Sequence, residues 1–215
     1  MSKWRVEHSI GGAGEFHHRD PPPGRLAVFH EVERPTLVLG SAQDVSAVEV
    51  RVADRLGIDV VSRRSGGAAV LLMPSESVWL DLSIGPEDPL WRSDVAEAMI
   101  WVGEVWRRAL RAVGVDASVH RGAMLTTPWS VAVCFAGIGP GEVVGGSGSK
   151  IVGVSQRRTR SYARFQTVCH LRWRPELVAA LVAEPRPRSA ELTSLVESVT
   201  VDRATLVASL AAALP

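Results

Sequence analysis

Residues 145 to 158 read Gly145-Gly146-Ser147-Gly148-Ser149-Lys150-Ile151-Val152-Gly153-Val154-Ser155-Gln156-Arg157-Arg158. Three glycines and two serines make a turn, and the apolar run behind them makes a strand that opens on a lysine. The chain otherwise avoids that residue: of 24 basic side chains only Lys3 and Lys150 are lysines, and the rest are arginines. A compact ammonium on a flexible stem can reach inward from the rim of a sheet to a phosphate or a carbonyl oxygen. Arginine's planar fork does not reproduce that point charge. Lys150 is therefore a candidate catalytic residue, the alternative being a solvated lysine at a sheet edge.

Upstream, Arg63-Arg64-Ser65-Gly66-Gly67-Ala68-Ala69 joins two strand-like runs. Paired glycines allow positive φ and close backbone approach to a ligand, and the two arginines supply forks for phosphate or carboxylate. A tight turn with two solvated arginines is the competing reading. No Walker or dinucleotide fingerprint is present, because the glycines do not open a helix. Cys134, in the apolar run Val131 to Ala136, is either a small core filler or a nucleophile beside a glycine-rich turn. Cys169 adjoins His170, but neighbours on a strand face opposite sides, so they form no working pair.

The remaining segments alternate between strands and helices. Leu26–His30, Thr36–Gly40, Asp59–Arg63, Ala68–Met73 and Val78–Ile84 read as strands, the last two as a hairpin around Pro74–Ser77. Ser130–Phe135, Glu142–Val144 and Lys150–Ser155 follow as further strands. Helices are expected over 44–57, from Val95 to Val113 behind Asp94, over 176–182, and over 203–214 behind Asp202. Residues 9–24 carry Gly, His and Pro without periodicity and read as an exposed arm. The expected organisation is one catalytic unit over 1–175, irregular over 1–25, with a short helical tail over 176–215 and no separate accessory domain.

The 215 residues carry a formal net charge of +1, with 46% hydrophobic and 22% charged side chains. A chain of this length buries roughly 70% of its unfolded surface, enough for a core without disulfide or metal staples. Near-neutral charge gives no general argument for a nucleic-acid or membrane-surface binder. Two cysteines and a polar N-terminus suggest reduced thiols in a cytoplasm. The longest uncharged run, Gly122 to Gly141, contains two prolines and reads as buried strand between loops rather than a membrane span. Arg157, Arg158, Arg160, Arg164, Arg172 and Arg174 form a basic strip, which is a solvated face or a surface for an acidic carrier protein or nucleotide phosphates. The six histidines show no metal-ligand spacing, and no structural metal is expected.

Taken together, Pro35-Thr36-Leu37-Val38-Leu39-Gly40-Ser41-Ala42-Gln43, the Arg63–Val70 loop and the Lys150–Arg158 strand resemble the lipoate-protein ligase A family of the biotin and lipoate ligase superfamily. The resemblance runs from about Phe29 to about Leu171. It implies an α+β fold, a mixed sheet flanked by helices of the biotin/lipoate ligase-like catalytic domain type. It further implies that Lys150 holds the acyl carbonyl and the adenylate phosphate. Arg63, Arg64, Ser65, Gly66, Gly67, Ala68, Gly153 and Ser155 would bind substrate. The implied chemistry is activation of lipoate or octanoate by ATP and Mg2+, then transfer to a lysine of a lipoyl carrier domain, as in 2-oxoacid dehydrogenases or the glycine cleavage H protein.

The chain departs from the family pattern at Ala68, where a third glycine is usual, and at Ser149, where an arginine is usual. A related branch, the single-domain octanoyltransferases, takes the acyl group from acyl carrier protein onto a cysteine shortly before the lysine, and Cys134-Phe135 is similar to that motif. Its histidine pattern after the lysine strand is replaced here by Gln166-Thr167-Val168-Cys169. Three functions follow: a ligase acting through acyl-adenylate, a transferase using a Cys134 thioester, or a binding homologue without turnover. Biotin ligation is weaker, because the Gly-Arg-Gly-Arg type of loop is missing.

Overall fold

The computed structural model describes residues 3–215. Among them the elements run β1 (Arg5–Gly11), α1 (Ala13–His18), β2 (Leu26–Val32), β3 (Thr36–Leu39), α2 (Val50–Leu56), β4 (Asp59–Ser62), β5 (Val70–Leu72), β6 (Ser77–Ile84), α3 (Val95–Ala112), β7 (Ser118–Val119), β8 (Val143–Val144), β9 (Lys150–Arg158), β10 (Ala163–His170), α4 (Pro175–Leu181), α5 (Ser189–Thr193) and α6 (Arg203–Ala212). Seven strands form one sheet in the order β1-β2-β6-β10-β9-β8-β7, and three form a second in the order β4-β3-β5. The large sheet is antiparallel except for β1 with β2. In the small sheet β3 runs parallel to β4 and antiparallel to β5. The fold is α+β, a mixed sheet flanked by helices.

Alternation along β6 sets the layers. Val78, Leu80, Leu82 and Ile84 enter a core completed by Val102 and Trp106 of α3 and by Leu206 and Leu210 of α6. Trp79, on the opposite face, joins Phe16 of α1, Val38 of β3 and Leu72 of β5. The small sheet and α1 therefore cover one face of the large sheet, and α3 and α6 cover the other. Burial of β6 on both faces places it inside the sheet, where continuous apolar character is expected. Asp94 caps α3 by accepting from Glu97 N–H at 2.8 Å, and Asp202 caps α6 by accepting from Thr205 N–H at 2.9 Å.

Several local expectations are revised. The segment 9–24 is not an irregular arm: β1 and α1 occupy much of it, and Phe16 and His17 are buried. A six-residue helix is too short to show a period, and this one is held by tertiary bonds from Arg164 to the carbonyls of Phe16 and Arg19, both at 2.7 Å. Met1 and Ser2 lie outside the described residues. The β5–β6 hairpin does not form, because β5 pairs with β3 while β6 pairs with β2 and β10, so Pro74–Ser77 carries the chain between sheets.

The helix over 44–57 is split into a 3-10 turn (Val45–Ala47) and α2. Val48 bridges to Val182, and Glu49 N–H donates to Leu181 O at 2.9 Å, so strand-like pairing interrupts the helix between the two pieces. Gly57 ends α2 at φ 64°. The segment 130–135 is a turn running into a short 3-10 helix (Cys134–Ala136) rather than a strand, and the uncharged run 122–141 is otherwise irregular apart from isolated bridges.

The basic strip is only partly a free face, with Arg160 and Arg172 exposed. Arg164 is buried against Asp81, Arg174 and Arg172 pair with Glu76, and Arg158 donates to the carbonyls of Ser93 and Arg92. The helical tail packs onto the rest of the chain: α4 and α5 supply Val178, Leu181 and Leu192 to a second core, and α6 completes the first. No helix among the described residues is long and apolar enough to cross a membrane.

Candidate functional site

Between the two sheets lies a narrow slot. Trp79, Gln166 and Val168 of the large sheet form one wall, and Val38, Val70 and Leu72 of the small sheet form the other. Its free volume is about 30 Å³, and its lining is mainly apolar, with His17, Arg63, Ser155 and Gln166 as polar members. Beside it a wider cavity of about 280 Å³ is bounded by Gly66, Gly67, Ala68, Glu142 and Lys150. Cys134, Val154 and Ser155 line both spaces, so the thiol stands where slot and cavity meet. The twin-glycine bend and Lys150, more than eighty residues apart in sequence, thus share one cavity.

Lys150 is fully buried. Its backbone is fixed on the tail side, with Lys150 N–H donating to Leu195 O at 2.9 Å and Glu197 N–H donating to Lys150 O at 3.0 Å. Its Nζ lies 2.7 Å from Glu142 Oε1 and donates to Cys134 O at 2.9 Å and Gly137 O at 3.0 Å. The Phe135 ring lies beneath it, 4.9 Å from Nζ to the centroid. An ammonium has three protons, and all three have acceptors here. Lys150 therefore shapes the 134–137 turn from within while facing the cavity.

Cys134 reaches the glycine loop through two backbone bonds. Cys134 N–H donates to Ala69 O at 3.0 Å, and Ala69 N–H donates to Ala132 O at 3.1 Å. This pairing ends after one bridge, because the chain coils back so that Val133 N–H donates to Trp129 O at 2.8 Å. Gly67 faces the thiol at φ 97°, and a Cβ there would lie 3.7 Å from Cys134 Sγ and 2.8 Å from Arg63 Nη2. Only glycine combines that backbone conformation with that proximity.

The two arginines do not offer free forks. Arg63 is buried, and its Nη2 donates to the carbonyls of Gly66 at 2.8 Å and Ala68 at 2.9 Å, clamping the loop from inside. Burial lowers the guanidinium's proton affinity, opposed by its charge coupling to Cys134. Arg64 turns outward, with Nη2 donating to His18 O at 2.8 Å and Asp20 Oδ1 at 2.6 Å, and lines neither space. Ser65 is buried and donates to Gln166 Oε1 at 2.8 Å, with Ser155 Oγ 3.1 Å away. Gly153 lines the slot and lets the Phe135 ring approach, since a Cβ would stand 3.2 Å from it.

Three residues of the site escaped sequence reasoning. Glu142 ends the long uncharged run, and a lone carboxylate there was the available signal. Besides Lys150, it accepts from Gly139 N–H at 2.7 Å and Val154 N–H at 3.1 Å. Gln166 stands on β10 opposite Ser155 and donates to His17 Nδ1 at 2.8 Å. His17 lines the slot and stacks on Trp79 with centroids 4.6 Å apart, but its position in a Gly/Pro-rich stretch hid it.

Electrostatics separate the titratable groups of this face. Burial, helped by Arg63 and Arg164 and opposed by Asp81, lowers His17 to about 3. Burial and the Lys150 charge lower His170 to about 4. Both rings are neutral at pH 7. Burial alone would raise the Asp81 carboxyl, but the charges of Arg164 and His30 and their hydrogen bonds outweigh it and hold it well below the usual carboxylate range. Cys169 is fully buried, which pushes its thiol up and leaves it inert, consistent with its being out of reach of any partner on the strand.

The description "Lipoyl protein ligase A/B catalytic domain" matches residues 16–213. No curated protein matches the chain in sequence at a significant level. Solved structures show the same fold at low identity. A bipartite lipoate protein ligase from Thermoplasma acidophilum, solved with its E2 lipoyl domain, superposes with a TM-score of 0.77 at 14% identity, covering 99% of this chain and 82% of that one. Lipoate-protein ligase A bound with ATP gives 0.70 at 16% identity, over 86% and 69%. The T. acidophilum protein Ta0514 with bound lipoic acid gives 0.67 at 15%, again over 86% and 69%. With a family match spanning nearly the whole chain and the fold shared with those structures, the chain belongs to the lipoyl protein ligase A/B catalytic-domain family.

Proposed function

We propose that this protein transfers a medium-chain acyl group, lipoyl or octanoyl, to a lysine of a lipoyl carrier domain, and that Cys134 carries the group as a thioester. One observation carries the reading: Cys134 stands at the junction of a narrow, mainly apolar slot between the two sheets and a wider cavity shared by Lys150 and the twin-glycine bend. The Cys134 sulfur attacks the donor carbonyl, a C–S bond forms, and the donor's leaving group departs with its electron pair while the thiol proton passes to it or to solvent. The carrier lysine, as neutral amine, then attacks the thioester. The C–N bond forms, the C–S bond breaks, and the amine proton returns to sulfur or solvent. Lys150 holds the Cys134–Gly137 turn through two carbonyls and brings a positive charge beside the reacting carbon.

The residues present fit ATP and Mg2+ poorly. The ammonium of Lys150 already faces the carboxylate of Glu142, and no arginine among the described residues lines the cavity to meet a triphosphate. Glu142, the one carboxylate there, is committed to Lys150, Gly139 and Val154 and is no ready magnesium ligand. The second reading, acyl-adenylate chemistry at Lys150, draws on the fold shared with an ATP-bound relative. The E2 lipoyl domain solved with another relative supports a lipoyl carrier domain as acceptor.

The test supplies three donors, octanoyl or lipoyl thioester of acyl carrier protein, preformed acyl-adenylate, and free acid with ATP and Mg2+, to a lipoyl domain. The expected result is transfer from an activated donor with an acyl adduct on Cys134 by intact mass, both lost in Cys134→Ser. Transfer from free acid and ATP that survives Cys134→Ser establishes the adenylate route instead. Tight binding of the adenylate with no transfer from any donor identifies a binding homologue.

A further inference from the structure

Among the described residues β1 is an end strand of the seven-stranded sheet, and its outer edge is open. Parallel pairing with β2 uses alternate residues. Arg5 N–H donates to Arg25 O at 3.1 Å and Glu33 N–H donates to Gly11 O at 3.2 Å, so the odd-numbered residues of β1 turn their backbone groups inward. Val6, His8 and Ile10 turn theirs outward, where no described residue meets them. The side chains of Val6 and Ile10 are 42% and 70% exposed. Protected edges carry a proline, a bulge or a free charge. This strand has neither proline nor bulge, and its two charges, Arg5 and Glu7, pair with each other at 2.8 Å.

We propose that two copies of this chain associate through β1, antiparallel about a two-fold axis at His8, so that their large sheets become one. Three properties of the edge are self-complementary in that register. Val6 faces Ile10 of the second copy, His8 faces His8 and Ile10 faces Val6, and each pair exchanges two backbone hydrogen bonds. The same register sets Val6 against Ile10 as an apolar cross-strand pair on both sides of the axis. It also brings Arg5 opposite Gly11 of the second copy, where a Cβ would lie 3.9 Å from Glu15 Oε2. The missing side chain leaves room for the guanidinium beside that exposed carboxylate, again twice by symmetry. Shifting one copy by two residues sets Glu7 against Glu7 in one direction and Val6 against Gly12 in the other. One strand pair is smaller than the roughly 1,200–2,000 Å² of a stable interface, so the dimer dissociates in the micromolar range. None of these residues lines the slot or the cavity, so the inference stands apart from the acyl-transfer reading.

Sedimentation velocity of the full chain across the micromolar range is expected to show a monomer–dimer equilibrium. His8→Pro removes an outward N–H without touching a bond to β2. Arg5→Glu and Glu15→Arg each set like charges together at two places. Each of the three variants should raise the dissociation constant by about tenfold, and Arg5→Glu combined with Glu15→Arg should recover part of the loss. Cysteine pairs read the register directly. Oxidised His8→Cys should link to its own counterpart, whose Cα stands about 5.5 Å away, whereas Val6→Cys, about 14 Å from its counterpart, should not link. Peptide mapping separates this bond from one through Cys134, which is partly exposed. A monomer at every concentration, unchanged affinity in His8→Pro, or equal linking of the two cysteine variants overturns the inference.

Discussion

Lys150 Nζ and Glu142 Oε1 lie 2.7 Å apart with both side chains buried, so the ammonium facing the cavity is matched by a carboxylate of its own chain. A buried pair contributes little net stability, but removing one member strands the other charge in low dielectric at about 3–5 kcal/mol. Lys150→Met and Glu142→Gln should each lower the urea midpoint strongly, and the double variant should recover part of the loss. A double-mutant cycle in urea reads the coupling. Additive losses would show that the two side chains act separately.

Lys150→Arg tests shape rather than charge. The ammonium is received by one carboxylate oxygen and two carbonyls around a point. A planar fork of five donors does not fit three acceptors so disposed. Acyl transfer should fall by at least about tenfold, as one misplaced buried hydrogen bond implies, while the cation is preserved. Full activity would remove Lys150 from the mechanism.

The glycines near the bend should divide sharply. A Cβ on Gly40 would stand 1.6 Å from Gly67 O, a backbone atom that cannot rotate away, whereas a Cβ on Gly66 meets nothing within 4 Å. Gly40→Ala should displace the loop and destabilise the fold by several kcal/mol, on the order of an overpacked core site. Gly66→Ala should leave the thermal midpoint nearly unchanged. Similar midpoints for the two variants would contradict the close approach of Gly40 to the loop.

These contrasts show where sequence was legible. The lysine strand and the capped helix behind Asp94 could be read because each carries a local signal: a glycine turn before apolar residues, and an aspartate before a 3.6-residue period. Strand alternation also separated Cys169 from His170 correctly. Reading failed where a segment takes its structure from distant partners. The helix holding His17 depends on Arg164 and on stacking between Phe16 and His30, neither visible from a Gly/Pro-rich stretch. Likewise β5 and β6 look like a hairpin locally, and only pairing with β3 and with β10 separates them. Arg63 and Arg64 are adjacent in sequence and alike in chemistry, yet one clamps carbonyls inside and the other reaches Asp20 outside.

Acid should weaken the protein well above the carboxylate range. His17 and His170 have folded values of about 3 and about 4 against 6.5 for an ordinary histidine, so between those limits the unfolded chain binds more protons than the folded one. Stability therefore falls as pH drops from about 6.5 toward 4. The loss reaches several kcal/mol in total, because each tenfold weakening of proton binding on folding is worth roughly 1.4 kcal/mol. Asp81, whose folded value is depressed, adds a loss of the same sign only below pH about 4. Thermal midpoints between pH 7.5 and 4.5 should decline, and His17→Phe with His170→Phe should flatten the decline. An equally steep profile in that double variant would assign the acid sensitivity elsewhere.

Arg63 gives the sharpest test of how the loop presents the thiol. Its guanidinium donates to the carbonyls of Val38, Gly66 and Ala68, so one side chain ties β3 to both ends of the glycine bend beside Cys134. Lysine keeps the charge but supplies a single centre, which cannot span three carbonyls. Arg63→Lys should fold with a modest loss, about 1–3 kcal/mol for the unsatisfied carbonyls, and should expose Cys134 more often as the loop opens. Alkylation by iodoacetamide, followed by intact mass, isolates this effect because Cys169 is fully buried and serves as a silent internal control. Faster single-site labelling in Arg63→Lys than in the wild type is the expected outcome. Unchanged labelling would mean that the bend holds its shape without the clamp and that its glycines, rather than Arg63, set the access to the thiol.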